Sequence, residues 1–83
     1  MDIMLSLAKS YLKSLVTKED LINLLNRLLL QDKEQIVLEM IYLEHKSIGS
    51  IADDLGYSVQ NVKVIHRKAL LKVSNYIHKS VDI

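Results

Sequence analysis

The chain has 83 residues and a net charge of +1; 49% of its residues are apolar, and it contains neither Cys nor Pro. This length permits one domain with a small core, and the lack of Cys excludes disulfides and thiolate metal sites. A sequence without Pro that is rich in Leu, Ile, Lys and Glu predicts helices throughout, so we expect an all-α, compact bundle of about five helices.

No stretch approaches the roughly 18 uncharged apolar residues that a membrane-spanning helix needs. The N-terminal stretch lacks the basic start of a signal peptide and carries Lys9 and Lys13 inside its apolar pattern. These features favour a cytoplasmic protein that does not contact membranes. We expect one domain over residues 1–83, divided into an N-terminal helix (1–17), supporting helices (18–46) and a helix-turn-helix unit (47–79).

The first predicted helix, residues 2–16, is amphipathic. The apolar side chains that recur at helical spacing on one face are Met4, Leu7, Ala8, Tyr11, Leu12 and Leu15. The opposite face carries serines and two lysines. Two lysines are too few to favour a membrane-surface helix, so packing against the protein is the preferred interpretation.

The second predicted helix begins after Thr17, a typical N-cap residue, with Glu19 and Asp20 in its first turn. Its main apolar stripe is Leu21, Leu25, Leu28 and Leu29, widened by Ile22, Leu24 and Leu30. A helix that is apolar over so much of its circumference lies centrally in the core or is half covered by a partner. The leucine-rich helices therefore leave a homodimer open.

The third predicted helix begins at Asp32, taken as an N-cap, with Glu34 and Gln35 completing a pattern that resembles a capping box. Its expected inner face is Ile36, Val37, Met40 and Ile41, with Leu38 and Tyr42 to one side, where they support the following unit. A polar link over residues 44–46 then leads to Ser47, which is suited to cap the fourth helix.

Two short helical patterns meet at a glycine turn. The first has its apolar residues at Ile48, Ile51, Ala52 and Leu55. Gly56 is suited to the left-handed conformation that ends a helix, and Ser58 is suited to cap a last helix that runs from Val59 to about Lys79, before a frayed end at residues 80–83. The apolar face of that helix is Val62, Ile65, Ala69, Leu70 and Val73.

The spacing of this unit favours a nucleic-acid-binding helix-turn-helix over an ordinary corner between two helices. Ala52 is small enough for a second helix to cross closely, Gly56 lies in the turn, and two apolar anchors follow. Residues 58–80 contain five basic residues and no acidic one: Lys63, Arg67, Lys68, Lys72 and Lys79. A basic stretch of this kind suits phosphate contacts; the alternative is a solvated helix face.

Enzyme chemistry is not indicated. The three His residues do not recur at metal-ligand spacing. Asp53 and Asp54 are adjacent on a helix, so their side chains point about 100° apart and do not converge on one substrate. We therefore predict no catalytic site, no metal site and no cofactor.

A resemblance to a known family rests on three segments of this pattern. Its residues are Val37, Leu38, Met40, Tyr42, Ser47, Ile48, Ile51, Ala52, Leu55, Gly56, Ser58, Val62, Lys63, Ile65, Lys68, Ala69, Leu70 and Lys72. Together they resemble region 4 of bacterial sigma factors, a module that places its helix-turn-helix on the −35 promoter element and touches the flap of RNA polymerase. Residues 55–58 and 65–70 are closer still to small phage and prophage transcription regulators of the ArpU-like type.

The chain departs from the sigma pattern at several positions. The last helix begins with Val59, Gln60 and Asn61, where region 4 commonly has charged residues. Sigma factors often have Arg at the position of Ile41, and they often have a Pro near the position of Gln31. The segments that melt a promoter are missing from these residues, so we expect something other than a complete sigma factor.

The favoured function is a sequence-specific regulator of transcription that reads double-stranded DNA with the helix starting at Ser58. Gln60 and Asn61 are suited to adenine, Lys63 or Arg67 to guanine, and Val59 or Val64 to a thymine methyl group. Ser58 and Lys68 are expected to hold phosphates. The alternative is a sigma-like module that binds RNA polymerase or another protein without reading DNA.

Overall fold

The computed structural model describes residues 3–15 and 17–81, and it describes side chains over 5–15 and 17–77. The helices are α1 (Ile3–Ser14), α2 (Lys18–Arg27), α3 (Asp32–Tyr42), α4 (Ile48–Leu55) and α5 (Val59–Val81), and no strand occurs in the described ranges. The prediction of an all-α bundle of about five helices is confirmed. The side chain of Met4, predicted to face inward, lies outside the described residues. The last helix runs to Val81 and not only to about Lys79, so residues 80–81 of the predicted frayed end are helical, and residues 82–83 lie outside the described residues.

Three helices begin at the N-caps that the sequence predicts. Thr17 Oγ1 accepts a hydrogen bond of 3.0 Å from the Asp20 backbone N–H. Ser47 Oγ accepts one of 3.2 Å from Ser50, and Ser58 Oγ accepts one of 3.0 Å from Asn61. Each bond satisfies a backbone donor that has no partner within the helix, which fixes the residue at which the helix starts.

The predicted cap of α3 is wrong by one residue. Gln31, with φ −71° and ψ 155°, is the N-cap, and Asp32 is the first helical residue. The Gln31 backbone N–H donates a 2.8 Å hydrogen bond to Glu34 Oε1, as in a capping box counted from residue 31. Asp32 remains close to the positive end of the helix dipole, where an acidic side chain is favourable both at the N-cap and at the first helical position.

The long helix α5 is the centre of the bundle, since α1, α3 and α4 all pack against it. One buried cluster joins α1 and α2 to Leu38 of α3 and to Ala69, Leu70 and Val73 of α5. A second cluster lies beneath the turn between α4 and α5, with the buried side chains Val37, Met40, Ile51, Ala52, Val62 and Ile65. The N-terminal half of α5 thus packs on α3 and α4, and its C-terminal half packs on α1, α2 and Leu38 of α3.

Three apolar side chains that were expected inside are exposed: Leu7 (57%), Leu29 (93%) and Ile36 (44%). Leu29 leaves the apolar stripe because α2 ends at Arg27 and Leu28 is already extended. On α3 the fully buried residues are Val37 and Leu38, so Leu38 belongs to the core and Ile36 does not. On α1 the buried stripe is narrow, with Ala8 and Leu12 inside and Leu5 half-buried.

A buried carboxylate ties the start of α3 to α5. Glu34 is 3% exposed, and its Oε1 accepts a 2.7 Å hydrogen bond from Lys72 Nζ. Lys72 Nζ also donates to the Leu29 carbonyl at 3.2 Å. Burial alone raises the pKa of Glu34, but the bonds from Lys72 and from the Gln31 N–H outweigh it and leave the pKa lowered. The ammonium group of Lys72 therefore stabilises the contact between α3 and α5 and is not available for a phosphate.

Among the described residues, no helix has both the length and the apolar character required to cross a bilayer.

Candidate nucleic-acid interface

The turn between α4 and α5 is built on one glycine. Gly56 has φ 70° and ψ 29°, the left-handed region that residues with a Cβ adopt only at a cost. The Tyr57 backbone N–H donates a 2.9 Å hydrogen bond to the Ala52 carbonyl, which closes the end of α4. Two residues later Ser58 caps α5. The short connection fixes the angle at which the second helix leaves the first.

The rotation of α5 about its axis is set by Val62 and Ile65, which are buried against α3 and α4 in the second cluster. Ala52 is 3% exposed and lies in the same cluster, as expected for a small residue where two helices cross. With these anchors facing inward, the intervening positions of α5 face solvent.

All eight residues that the sequence assigns to DNA binding are exposed and lie along one segment of the chain, the start and first turns of α5. They are Ser58, Val59, Gln60, Asn61, Lys63, Val64, Arg67 and Lys68. The exposure of Val59 and Val64 is notable because the core does not use these apolar side chains. The arrangement presents amide, hydroxyl, methyl and cationic groups on one helix, which is the mixture that base edges and phosphates require.

Lys63 and Arg67 also line a groove of about 580 Å³ that runs between α1, α5 and the start of α4. We call this the basic groove; its further basic residues are Lys9 and Lys13 of α1 and Lys46 before α4. The sequence reasoning did not include α1 in the site. The signal was present in the lysine pair spaced by four residues beside an apolar stripe, but the position of α1 against α5 depends on tertiary packing.

Lys46 is already paired. Its Nζ lies 2.7 Å from Asp54 Oδ2 and 3.4 Å from Glu44 Oε1, and the hydrogen bond to Asp54 raises the pKa of Lys46. The preceding residue, His45, has φ 56°, and the Lys46 backbone N–H donates to the Met40 carbonyl at 3.0 Å. These contacts hold the link between α3 and α4 in one conformation and so position the start of the helix-turn-helix.

The floor of the basic groove holds a polar pair that the sequence did not reveal. Tyr42 Oη and His66 Nε2 share a hydrogen bond of 3.0 Å. Burial, with a smaller contribution from the charge of Lys9, lowers the pKa of His66 to about 4. Burial raises the pKa of Tyr42 to about 12. Both side chains are therefore neutral at neutral pH, and they join α3 to α5 without adding charge.

Within the described part of the chain, no three His, Cys, Asp or Glu side chains are arranged to hold a metal ion. The start of α5 and the basic groove form a surface of exposed polar and cationic side chains above a well-packed backbone.

In comparison with known proteins, residues 29–75 match the family model described as Sigma-70, region 4. The matched segment is more than half of the chain. It contains α3, the helix-turn-helix and most of α5, and it leaves out α1 and α2.

Two curated relatives come from Bacillus subtilis strain 168. The RNA polymerase sigma-D factor is 34% identical over 53 residues, which cover 64% of this chain and 21% of that protein. The RNA polymerase sigma factor SigO is 46% identical over 41 residues, which cover 49% of this chain and 23% of that protein. The similarity thus spans less than a quarter of the length of either relative. No solved structure matches the chain.

Proposed function

The chain belongs to the sigma-70 region 4 family, and we propose that it is a DNA-binding regulator of transcription that reads a specific duplex sequence with the start of α5. The observation that carries this proposal is the exposed face at that helix start. Ser58 fixes the first residue of α5, Val62 and Ile65 fix its rotation, and Gln60 and Asn61 are left facing solvent. A helix held in this way is suited to enter the major groove.

The roles follow from the chemistry of each side chain. Gln60 and Asn61 each offer an amide that pairs with the N6 and N7 edge of adenine, and Lys63 or Arg67 matches O6 and N7 of guanine. Val59 or Val64 contacts a thymine methyl group. Ser58 and Lys68 hold phosphates and set the register of the protein on the duplex.

The proposal includes a bacterial cytoplasm as the place of action, and a phage or prophage origin. The latter is supported by the likeness of residues 55–58 and 65–70 to small phage regulators. The names of the two relatives, both RNA polymerase sigma factors, support contact with RNA polymerase as a second interaction. No reaction is part of this function, since binding alone performs it.

The decisive experiment is selection of bound duplexes from a random pool, followed by fluorescence polarisation titrations with the selected site and a shuffled control. We expect one enriched sequence and a preference of at least about 10³-fold over the control. For random duplex, contact with about three to five phosphates gives a log–log slope of affinity against salt of roughly −3 to −4.5. No enrichment, with no binding at about 50 mM salt, would overturn the proposal.

A second candidate is a protein-interaction module, and an exposed apolar surface favours it. Leu28, Leu29 and Tyr76 line a shallow depression of about 360 Å³, and the Leu29 side chain is 93% exposed. This surface lies at the link between α2 and α3, away from the start of α5. Leu29→Ser, with Asn61→Ala as the matched variant on α5, separates the two. Two results together would favour this candidate. Leu29→Ser, but not Asn61→Ala, would lose binding to purified RNA polymerase, and the native chain would not bind DNA.

A further inference from the structure

The basic groove is lined by two pairs of cationic side chains, which come from helices that are far apart in sequence. Lys9 and Lys13 are four residues apart on α1, and Lys63 and Arg67 are four residues apart on α5. Residues with this spacing lie on the same face of a helix, about 6 Å apart along its axis. Each helix thus contributes a pair of positive charges to the same groove.

The groove is strongly one-sided in charge. Lys46 also lines it, with its charge paired to Asp54 and Glu44. The rest of the lining in the described residues is Leu5, Ile41, Tyr42, Ser47, Ile48, His66 and Leu70, none of which is acidic. Among the side chains described over residues 5–15 and 17–77, Lys9, Lys13 and Lys63 form no ion pair. Concentrating like charges in a concave surface is electrostatically unfavourable unless an anion occupies it.

The fold itself does not require the α1 lysines. The contribution of α1 to the core comes from Ala8 and Leu12, supported by half-buried Leu5, Tyr11 and Leu15, while Lys9 and Lys13 are exposed. Lys72, by contrast, is used by the fold through its bond to Glu34. The positive field at the groove also reaches its floor, since the charge of Lys9 is one cause of the lowered pKa of His66.

We propose that α1, which lies outside the family match, is part of the DNA-binding surface, and that Lys9 and Lys13 contact the phosphate backbone beside the major groove entered by α5. The groove is continuous with Lys63 of the proposed reading face and with Ser47 at the N-terminus of α4. Duplex DNA is the anion that fits, because it offers a row of phosphates along both edges of the major groove. The inference rests on the proposed function and adds a second helix to it.

The test compares two double variants with equal changes in charge. Lys9→Gln with Lys13→Gln removes the α1 cations of the groove. Lys18→Gln with Lys33→Gln removes two exposed lysines that do not line it. The binding of each to a labelled duplex of random sequence is measured by polarisation between about 50 and 200 mM salt. Circular dichroism melts show whether each variant is folded, and Lys9→Arg with Lys13→Arg tests whether charge alone restores binding.

We expect the Lys9/Lys13 pair to flatten the log–log salt slope by about 2 and to weaken binding about tenfold or more at 0.1 M salt, and the arginine pair to restore both. The Lys18/Lys33 pair changes the slope by much less. If the two double variants weaken DNA binding equally, the loss reflects net charge alone. If the salt slope is unchanged in the Lys9/Lys13 variant, α1 does not contact DNA. Either result overturns the inference. Absence of DNA binding by the native chain would instead overturn the proposed function, which keeps the two failures distinct.

Discussion

The phenolic oxygen of Tyr42 lies 3.0 Å from Nε2 of His66, so a polar pair joins α3 to α5 directly beneath the cations of the basic groove. The rings lie 5.9 Å apart between centroids with their planes inclined by 50°. Because burial keeps both groups neutral at neutral pH, this link tolerates the positive charges around it.

The first prediction concerns the pH dependence of stability. The pKa of His66 is 6.5 in the unfolded chain and about 4 in the fold, so the unfolded state binds more protons between these values. The free energy of unfolding therefore falls as the pH drops from 6.5 towards 4, by at most about 3 kcal/mol. His66→Gln removes this loss. Urea titrations of both proteins at several pH values measure the difference.

Two other groups must be separated from His66 in that experiment. The pKa of Glu34 is lowered from 4.5, so its contribution to stability is present above about 4.5 and is lost as the pH falls below that value, which overlaps the lower end of the His66 window. His45 is exposed and serves as the matched control through His45→Gln. If native protein and His66→Gln lose stability in parallel between pH 6.5 and 4.5, the buried neutral imidazole is not the cause.

The second prediction concerns the tie between α3 and α5. Glu34→Ala leaves the Gln31 N–H without its capping partner and removes the acceptor of Lys72, at a cost of about 2 kcal/mol. Lys72 is partly exposed and turns to water, which limits the loss. Glu39→Ala is the control, since among the described residues the Glu39 side chain accepts a hydrogen bond only from Gln35 on the same helix, an interaction worth about 0.2–0.5 kcal/mol. Equal thermal shifts in the two variants would contradict the structural role of Glu34.

The third prediction uses the two glycines as a matched pair. Apart from the adjoining residues and the backbone of α4 itself, no atom lies within 4 Å of the place where a Cβ would stand at either position, so added volume has no effect. Gly56→Ala places an L-residue at φ 70° and destabilises the protein by about 1–2 kcal/mol. Gly49→Ala lies within α4 and stabilises it by up to about 1 kcal/mol. Thermal melts that shift in the same direction for both variants would exclude this account of the turn.

Local signals in the sequence located most of the fold. Thr17, Ser47 and Ser58 cap helices through hydrogen bonds to a residue three positions on, and such bonds depend only on neighbouring residues. Gly56 ends α4 for an equally local reason. The sequence prediction of buried residues was wrong where the apolar periodicity was extended beyond the end of a helix. Leu29 continues the apolar spacing of α2, yet the chain becomes extended at Leu28, and periodicity does not mark that end.

The sequence predicted which side chains of α5 are exposed, but it did not predict which residues of other helices lie beside them. The exposed face of α5 follows from the buried positions Val62 and Ile65, which the apolar pattern identifies. The pairing of Tyr42 with His66, and the placing of Lys9 beside Lys63, depend on which helices pack against each other. Spacing within one helix carries no information on such contacts. A single sequence therefore identified the exposed face of α5 but missed the groove beside it.

The last prediction separates the reading of bases from the holding of phosphates on α5. Asn61 lies at the third position of α5, near the end that enters the major groove in this motif, and Lys68 lies about 10 Å further along the axis. Asn61→Ala is expected to lower affinity for the selected duplex by about 1–3 kcal/mol and to leave random-duplex binding almost unchanged. Lys68→Gln weakens both by similar amounts and flattens the salt slope by about 1. Polarisation titrations of both variants on both duplexes give the four affinities, and Asn61→Ala acting equally on the two duplexes would show that α5 does not read bases at that position.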